Sequence, residues 1–160
     1  MTVIAWDLKN LVVDGRSTIG PDIVSDRETK LRKLVHPELG PLVAAFCGAM
    51  IVIEPWMDHI EENGFTAFEI PDGDVPGEYM TKGIFIKEDG TALEVETNGM
   101  YATVDVPSAY GSGQTIAQHY LKSGVDALEA VRQTIKSNMT CGGRLLSYDV
   151  ETKEIVAYEQ

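Results

Sequence analysis

The amino-acid sequence predicts an α+β fold in which antiparallel sheets carry helices on their outer faces. The segments follow the order strands, one helix, strands, two helices and strands, which suits antiparallel pairing better than the regular alternation of a parallel βαβ sheet. Residues 41–46 form an apolar run without a polar face, as is typical of a central strand covered on both sides. These observations indicate a layered sandwich, and a chain of 160 residues fits a single domain over residues 1–160.

The first third of the chain contains two predicted hairpins. Short apolar runs at residues 3–6 and 10–13 are strand-like, and the Asp-Leu-Lys sequence between them supplies a turn. Residues 19–22 contain Gly and Pro and predict a second turn, after which residues 28–34 form a predicted short strand of mixed charge. We therefore expect a second hairpin in this region, ahead of the central strand.

The middle of the chain predicts one helix followed by a further group of strands. After Gly48, apolar residues recur at helical spacing, and an Asn-Gly pair marks the C-terminal end of the segment. Pro55 is expected early in that helix or at a bend in it. Two strand-like runs at residues 83–86 and 91–95 flank an Asp-Gly turn and predict a hairpin, and residues 101–106 predict one more strand.

The last third of the chain predicts two helices and a closing hairpin. A Gly-Ser-Gly turn leads into a helix over residues 114–122, and Gly124 separates this helix from the next. The following helix carries an apolar stripe along one face, formed by Val125, Leu128, Val131 and Ile135. Strands at residues 144–150 and 154–158 then flank a polar turn and predict the hairpin.

Composition argues against several classes of function. Asp and Glu outnumber Lys and Arg by 25 to 13, which gives a net charge of −12, and such a field repels nucleic acids and anionic membrane surfaces. Apolar runs fall far short of the roughly 20 residues of a membrane span. The N-terminus carries no export signal, so we expect a cytoplasmic protein.

Neither a metal site nor a cofactor site is predicted. The two cysteines are too few for a disulfide framework or a cysteine-built zinc site. The three histidines do not form a set at metal-ligand spacing, and we expect His36, His59 and His119 to be exposed or partly packed.

Thr2 is the residue whose position points to chemistry. A small residue after the initiator methionine favours removal of Met1, which would leave Thr2 as the first residue. An N-terminal threonine combines a hydroxyl nucleophile with an α-amine whose ordinary pKa is roughly 7.7–8.0, so that the amine can act as the base for the hydroxyl. Position alone also fits an ordinary second residue, and the assignment therefore depends on the rest of the chain.

Six short segments along the chain share a pattern with one known family. They are the opening residues 2–5, the Asp-Gly turn within 12–20, the lysine-bearing segment 29–34, the strand end and glycine in 45–49, the Gly-Ser-Gly turn in 110–113, and residues 138–143. In their order and spacing they resemble the proteasome β-subunit family of N-terminal nucleophile (Ntn) hydrolases, most closely its HslV-like members. The resemblance implies a four-layer αββα sandwich with antiparallel sheets.

The resemblance also implies a catalytic set, which comprises Thr2, Asp14, Lys30, Gly48, Ser112, Asn138 and Cys141. Lys30 maps onto the active-site lysine of the family, whose ammonium would lower the pKa of the Thr2 α-amine by like-charge repulsion. Asp14 would keep Lys30 charged and oriented. Gly48 would donate its backbone N–H to the oxyanion of the intermediate.

The remaining three residues of the implied set would support the Thr2 amine. Ser112 would orient the amine or relay its proton. Asn138 and Cys141 stand where proteasome β subunits typically place an aspartate and a serine, so the support of the amine is changed in this chain.

Purely structural interpretations exist for the same residues. Lys30 lies in a charged run with Arg32 and Lys33, and such a run is usually a solvated face. An Asp-Gly pair is a common turn, Ser112 suits a helix N-cap, and Gly48 suits the end of a strand.

The function implied by the resemblance is a threonine-type peptidase that hydrolyses polypeptides through Thr2 within a homo-oligomeric ring or stacked rings. The sequence contains no glycine-rich ATP-binding loop with a following Lys-Ser or Lys-Thr, so any ATP-dependent unfoldase would be a separate chain. Two alternatives remain at this point: a catalytically silent self-assembling protein of the same fold, and an Ntn amidohydrolase acting on a small amide.

Overall fold

The computed structural model describes residues 2–69 and 81–160, and Met1, whose removal is predicted, lies outside this part of the chain. The described residues form a mixed α/β structure with antiparallel sheets and three helices. The chain divides into two compact units, one comprising Met1–Leu31 with Asp105–Gln160 and the other Arg32–Val104. The single domain over residues 1–160 stays a prediction.

Twelve strands and three helices are present in the described residues. The elements are β1 (Val3–Trp6), β2 (Asn10–Val13), β3 (Ser17–Ile19), β4 (Asp22–Ser25), β5 (Leu31–His36), β6 (Gly40–Cys47), α1 (Met50–Asn63), β7 (Lys82–Ile86), β8 (Ala92–Glu96), β9 (Tyr101–Thr103), β10 (Ser108–Gly111), α2 (Gln114–Lys122), α3 (Ala127–Ser137), β11 (Leu145–Asp149) and β12 (Ile155–Tyr158).

The first unit is built on a five-stranded sheet with the order β10-β1-β2-β11-β12, in which every neighbouring pair is antiparallel. Helices α2 and α3 pack on this sheet, and alternate strand residues such as Val3, Ala5 and Val12 form a buried cluster with Ala117 and Val131. Alternation is expected because successive strand residues point to opposite faces of a sheet. The short strands β3 and β4 form a separate two-stranded sheet.

The second unit contains a five-stranded sheet with the order β5-β6-β7-β8-β9. Its core includes Phe46, Trp56 and Phe85, whose rings meet edge to face with centroids 5.3 to 6.2 Å apart, a geometry that aromatic quadrupoles favour. Helix α1 supplies Trp56 and ends at Asn63, and the C-cap that follows is Gly64, where a φ of 71° suits a residue without a Cβ. Pro55 lies inside α1.

Most of the predicted elements are confirmed. The first, middle and final hairpins are present as β1–β2, β7–β8 and β11–β12. The run at residues 41–46 lies within β6, an interior strand of its sheet that is buried from Leu42 to Cys47. The predicted bounds of α2 are the observed bounds, Gln114–Lys122. The second predicted turn is also present and joins β3 to β4, but the strand predicted over residues 28–34 is β5 of a different sheet and is not part of this hairpin.

Two predicted strands need correction, and one observed strand was not predicted. The strand predicted from residue 28 begins at Leu31, because the preceding residues form a loop fastened to Gly15 and Arg144. The strand predicted at residues 101–106 ends at Thr103. Strand β10 was not predicted, because Ser and Gly occupy two of its four positions and only pairing with β1 holds it extended.

The buried face of α3 also differs from the predicted stripe. Val125 precedes the helix, whereas the buried positions within it are Ala127, Ala130, Val131 and Thr134. Leu128 and Ile135 are partly buried at the edge of the same cluster. Small residues form the centre of the face because they allow a close approach of helix to sheet.

Candidate active site

A largely buried ion pair joins Lys30 and Asp14 in the first unit. Lys30 Nζ is 2.9 Å from Asp14 Oδ1, and the side chains are 13% and 0% exposed. The interpretation of Lys30 as part of a solvated face is therefore wrong. A lysine buried to this extent needs a charged partner, because an isolated buried ammonium carries a large desolvation cost.

Asp14 is held by more than its lysine. Its Oδ1 atom also accepts a hydrogen bond from the backbone N–H of Val3 at 3.1 Å, and its Oδ2 atom accepts one from Gly142 at 3.0 Å. The carboxylate therefore joins the start of β1, the loop before β11 and Lys30. Asp14 is more than a residue of an Asp-Gly turn, because three separate parts of the chain depend on its two oxygens.

Thr2 lies directly before β1 and contacts two other predicted site residues. Lys30 Nζ donates to Thr2 Oγ1 at 3.1 Å, and the Thr2 nitrogen donates to Ser112 Oγ at 3.2 Å. Gly111, with a φ of 92°, allows this approach, because a Cβ at that position would clash with the Thr2 carbonyl oxygen. The geometry thus places a cation beside the hydroxyl and a hydroxyl acceptor beside the nitrogen.

Ser112 connects Thr2 with the loop that follows α3. Its Oγ lies 3.2 Å from the Thr2 carbonyl oxygen, 3.4 Å from Thr140 Oγ1 and 3.5 Å from Cys141 Sγ. The N-cap interpretation of Ser112 is wrong, since the N-cap of α2 is Gly113 and no side chain caps that helix. Ser112 Oγ instead contacts the backbone nitrogen and the carbonyl oxygen of Thr2.

Asn138 and Cys141 both lie near Ser112. Asn138, the C-cap of α3, donates from Nδ2 to the Ser112 carbonyl oxygen at 3.3 Å. The Cys141 side chain is 1% exposed, and burial raises the pKa of its thiol above the ordinary value. Cys141 is therefore a neutral thiol at pH 7.

Thr140 belongs to this cluster, and sequence reasoning did not single it out. Its hydroxyl is 2.7 Å from Asn138 Oδ1 and 3.4 Å from Ser112 Oγ. The available signal was a hydroxyl-bearing residue in the loop, two positions after Asn138. That signal is weak because the direction of a loop side chain depends on where α3 ends.

Arg16 and Asp26 stabilise the surrounding loops, and neither was predicted to do so. Arg16 Nε donates to Asp26 Oδ1 at 2.6 Å, and its Nη1 donates to the carbonyl oxygen of Met139 at 2.9 Å. This pairing raises the pKa of Arg16 and lowers the pKa of the Asp26 carboxyl. Arg144 fastens the loop before Lys30 through a hydrogen bond from Nη2 to the Thr29 hydroxyl.

Gly48 is in the second unit, between β6 and α1, with a φ of 124°. A Cβ at this position would lie 2.7 Å from Thr81 Cα and would also clash with the Thr81 hydroxyl. Only glycine suits this conformation and this spacing. Its predicted role as an oxyanion donor stays a prediction.

Six of the seven predicted site residues therefore lie in the first unit, linked by hydrogen bonds. Among residues 2–69 and 81–160, no group of three or more His, Cys, Asp or Glu side chains could hold a metal ion. No helix in this part of the chain has the length and apolar character needed to cross a membrane. In comparisons with known proteins, neither the family models nor the curated proteins give a match to this chain.

Proposed function

We propose that the protein is an N-terminal threonine peptidase of proteasome and HslV type, activated by removal of Met1. One observation carries the proposal: the Lys30 ammonium bridges Thr2 Oγ1 at 3.1 Å and the buried Asp14 carboxylate at 2.9 Å. Holding a largely buried ammonium beside a hydroxyl carries a desolvation cost, which the Asp14 carboxylate offsets here. The arrangement suits a hydroxyl that becomes an alkoxide during a reaction.

The proposed first step is attack of Thr2 Oγ1 on an amide carbonyl carbon. The hydroxyl proton moves to the Thr2 α-amine, directly or through a water, and a bond forms between Oγ1 and the carbonyl carbon. Lys30 stabilises the negative charge that develops on Oγ1, and its own positive charge lowers the pKa of the α-amine. Asp14 acts by positioning Lys30.

Collapse of the tetrahedral intermediate breaks the C–N bond of the substrate. The leaving amine takes the proton from the α-amine, and an ester to Thr2 remains. Water then attacks the ester carbonyl carbon and gives a proton to the α-amine. The bond between Oγ1 and the carbonyl carbon breaks, the α-amine returns the proton to Oγ1, and the carboxylic acid leaves. In this proposal the Gly48 N–H stabilises the oxyanion in both steps.

The proposed fold is the four-layer αββα sandwich of the family. In the first unit, α2 and α3 pack on the sheet. In the second unit, α1 contributes Ile53, Trp56 and Ile60 to the core. Support comes from β1, where Val3 and Ala5 pack with the helices while Ile4 and Trp6, on the opposite face, are also buried. Burial on both faces is what an inner sheet layer requires.

The proposed substrate is an unfolded or extended polypeptide in the cytoplasm, cleaved within a homo-oligomeric ring or stacked rings. Net charge of −12 supports a partner other than nucleic acid or an anionic membrane. An ATP-dependent unfoldase, if one delivers substrate, is a separate chain. The peptidase requires no cofactor in this scheme.

The test compares hydrolysis of fluorescently labelled unfolded casein with hydrolysis of small amides by the wild-type protein, Thr2→Ser and Thr2→Ala. We expect the wild type to cleave casein, Thr2→Ser to retain measurable activity because it keeps a hydroxyl, and Thr2→Ala to be inactive. Cleavage of small amides alone would favour the amidohydrolase. No Thr2-dependent cleavage of either substrate would favour the silent assembly protein and contradict the proposal.

A further inference from the structure

Thr140 occupies a position from which it can fix the direction of the hydrogen bond between Thr2 and Ser112. Four polar groups lie in sequence from the Thr2 nitrogen to Ser112 Oγ (3.2 Å), Thr140 Oγ1 (3.4 Å) and Asn138 Oδ1 (2.7 Å). The direction of this series of hydrogen bonds depends on which atoms carry the hydrogens. Two backbone contacts of the Asn138 amide determine where the hydrogens lie.

The orientation of the Asn138 amide follows from its neighbours. The backbone N–H of Thr140 lies 3.0 Å from one amide atom of Asn138, and an N–H can only donate, so that atom is the oxygen. The opposite amide atom faces the carbonyl oxygen of Ser112 at 3.3 Å, which can only accept, so that atom is the nitrogen. Both contacts agree on a single orientation.

The Thr140 hydroxyl must therefore donate to Asn138, because an amide oxygen has no hydrogen to give. A threonine hydroxyl carries one hydrogen, and at 2.7 Å this bond is the shortest that Thr140 makes in the cluster. Toward Ser112, Thr140 Oγ1 is consequently an acceptor only. Ser112 therefore receives no hydrogen from Thr140, and its own hydrogen has Thr140 Oγ1 and the Thr2 carbonyl oxygen as acceptors, while its oxygen accepts from the Thr2 nitrogen.

We propose that Thr140 is a positioning residue that keeps Ser112 an acceptor toward the Thr2 amine. This inference rests on the proposed function. An amine that donates an N–H to Ser112 has its own lone pair free for the proton of Thr2 Oγ1. Without the Thr140 oxygen, the Ser112 hydrogen loses one of its acceptors besides the Thr2 carbonyl oxygen and Cys141 Sγ. It can then turn toward the amine nitrogen and occupy the lone pair that the reaction needs.

The test uses Thr140→Val, which keeps the shape of the side chain and removes the hydroxyl, and Thr140→Ser, which restores a hydroxyl. Thr152→Val is the matched control, because the Thr152 hydroxyl also accepts a hydrogen bond in the first unit but lies in the turn before β12. The measured quantity is the rate of Thr2 acylation by a β-lactone, followed by intact mass, together with kcat and KM for a fluorogenic peptide.

We expect Thr140→Val to lower the acylation rate and kcat about fivefold, as the loss of one neutral hydrogen bond predicts, with KM unchanged. The acylation rate and kcat of Thr140→Ser should lie within about twofold of the wild-type values. Those of Thr152→Val should equal the wild-type values. Thermal unfolding identifies a variant that does not fold, in which case Thr140→Ala replaces Thr140→Val.

Three outcomes overturn the inference. A folded Thr140→Val or Thr140→Ala protein that acylates at the wild-type rate contradicts the role of the hydroxyl. Failure of Thr140→Ser to recover, with a normal unfolding temperature, assigns the effect to packing. If the wild type itself forms no adduct, the proposed function fails and the inference fails with it; an adduct on the wild type separates the two results.

Discussion

At the scale of single residues, the site depends on charges that are buried and fully partnered. Asp14 accepts three hydrogen bonds with two oxygens, from Val3, Gly142 and Lys30. Removal of one member of a buried pair leaves the other charge without compensation, and this costs more than the pair contributes. Removal of one partner from an ion pair that water already solvates should cause no such loss of stability.

Lys30→Met is therefore expected to lower the free energy of unfolding by about 3 kcal/mol. The matched control is Lys9→Met, because Lys9 pairs with Glu151 and the two side chains are 56% and 73% exposed. This variant should lower the free energy of unfolding by less than about 1 kcal/mol. Urea unfolding measures both. Equal costs for the two variants would show that the Lys30–Asp14 pair is not a buried determinant of stability.

His36 predicts a dependence of stability on pH in the second unit. The histidine is 6% exposed, which corrects the expectation of an exposed or partly packed residue, and burial lowers its pKa below the ordinary value of 6.5. As pH falls through 6.5, the unfolded chain takes up the proton first, so the free energy of unfolding decreases until the folded histidine also titrates.

The variant His36→Asn tests this dependence. In the wild type, His36 Nδ1 accepts hydrogen bonds from the N–H groups of Glu38 and Leu39, each at 3.1 Å, and the Asn oxygen can replace that acceptor without titrating. We expect the urea midpoint of the wild type to fall more than that of His36→Asn between pH 7.5 and 5.5. Parallel curves would exclude His36 as the source.

At the scale of elements, the pairing of β1 with β10 determines where Thr2 lies. Gly111 pairs with Val3, and the N–H of Gly113 donates to the Thr2 carbonyl oxygen at 3.3 Å. Strand β10 therefore holds two groups of the site in place: Thr2, which precedes β1, and the hydroxyl of Ser112, which follows β10. A substitution that pushes β10 away should affect stability and the site together.

Gly111→Ala is expected to lower the free energy of unfolding by about 3 kcal/mol or more and to slow acylation of Thr2, because the new Cβ clashes with the Thr2 carbonyl oxygen. Gly124→Ala is the matched control: its φ of 96° is similar, but no atom lies within 4 Å of the added Cβ. It should cost only about 1 kcal/mol for backbone strain. Equal effects would mean that strain alone, without contact to Thr2, explains Gly111.

The elements also show how far the sequence predicts this structure. Hairpins with clear turns and the helix α2 are predictable, because alternation and helical spacing are local signals. Strand β10 and the start of β5 are not, since pairing with β1 and the loop contacts of Arg144 determine them. The same limit applies at the site, where short motifs indicate Thr2 and Lys30 but cannot indicate the direction of the Thr140 hydroxyl.

At the scale of the whole molecule, the proposed function predicts an oligomer. Analytical ultracentrifugation should therefore give a mass several times the 17.5 kDa of one chain, and Thr2→Ala should give the same mass because the substitution removes only a side-chain hydroxyl and a methyl group. An active monomer would contradict the ring and favour the small-amide hydrolase.

The central claim is that Thr2 is a free N-terminal nucleophile beside Lys30. The most direct test is the intact mass of the purified protein before and after treatment with a β-lactone or an epoxyketone, with Thr2→Ala as the control. We predict a chain lacking one methionine that gains a single adduct, and no adduct on Thr2→Ala. A chain that retains Met1 and gains no adduct would contradict the account.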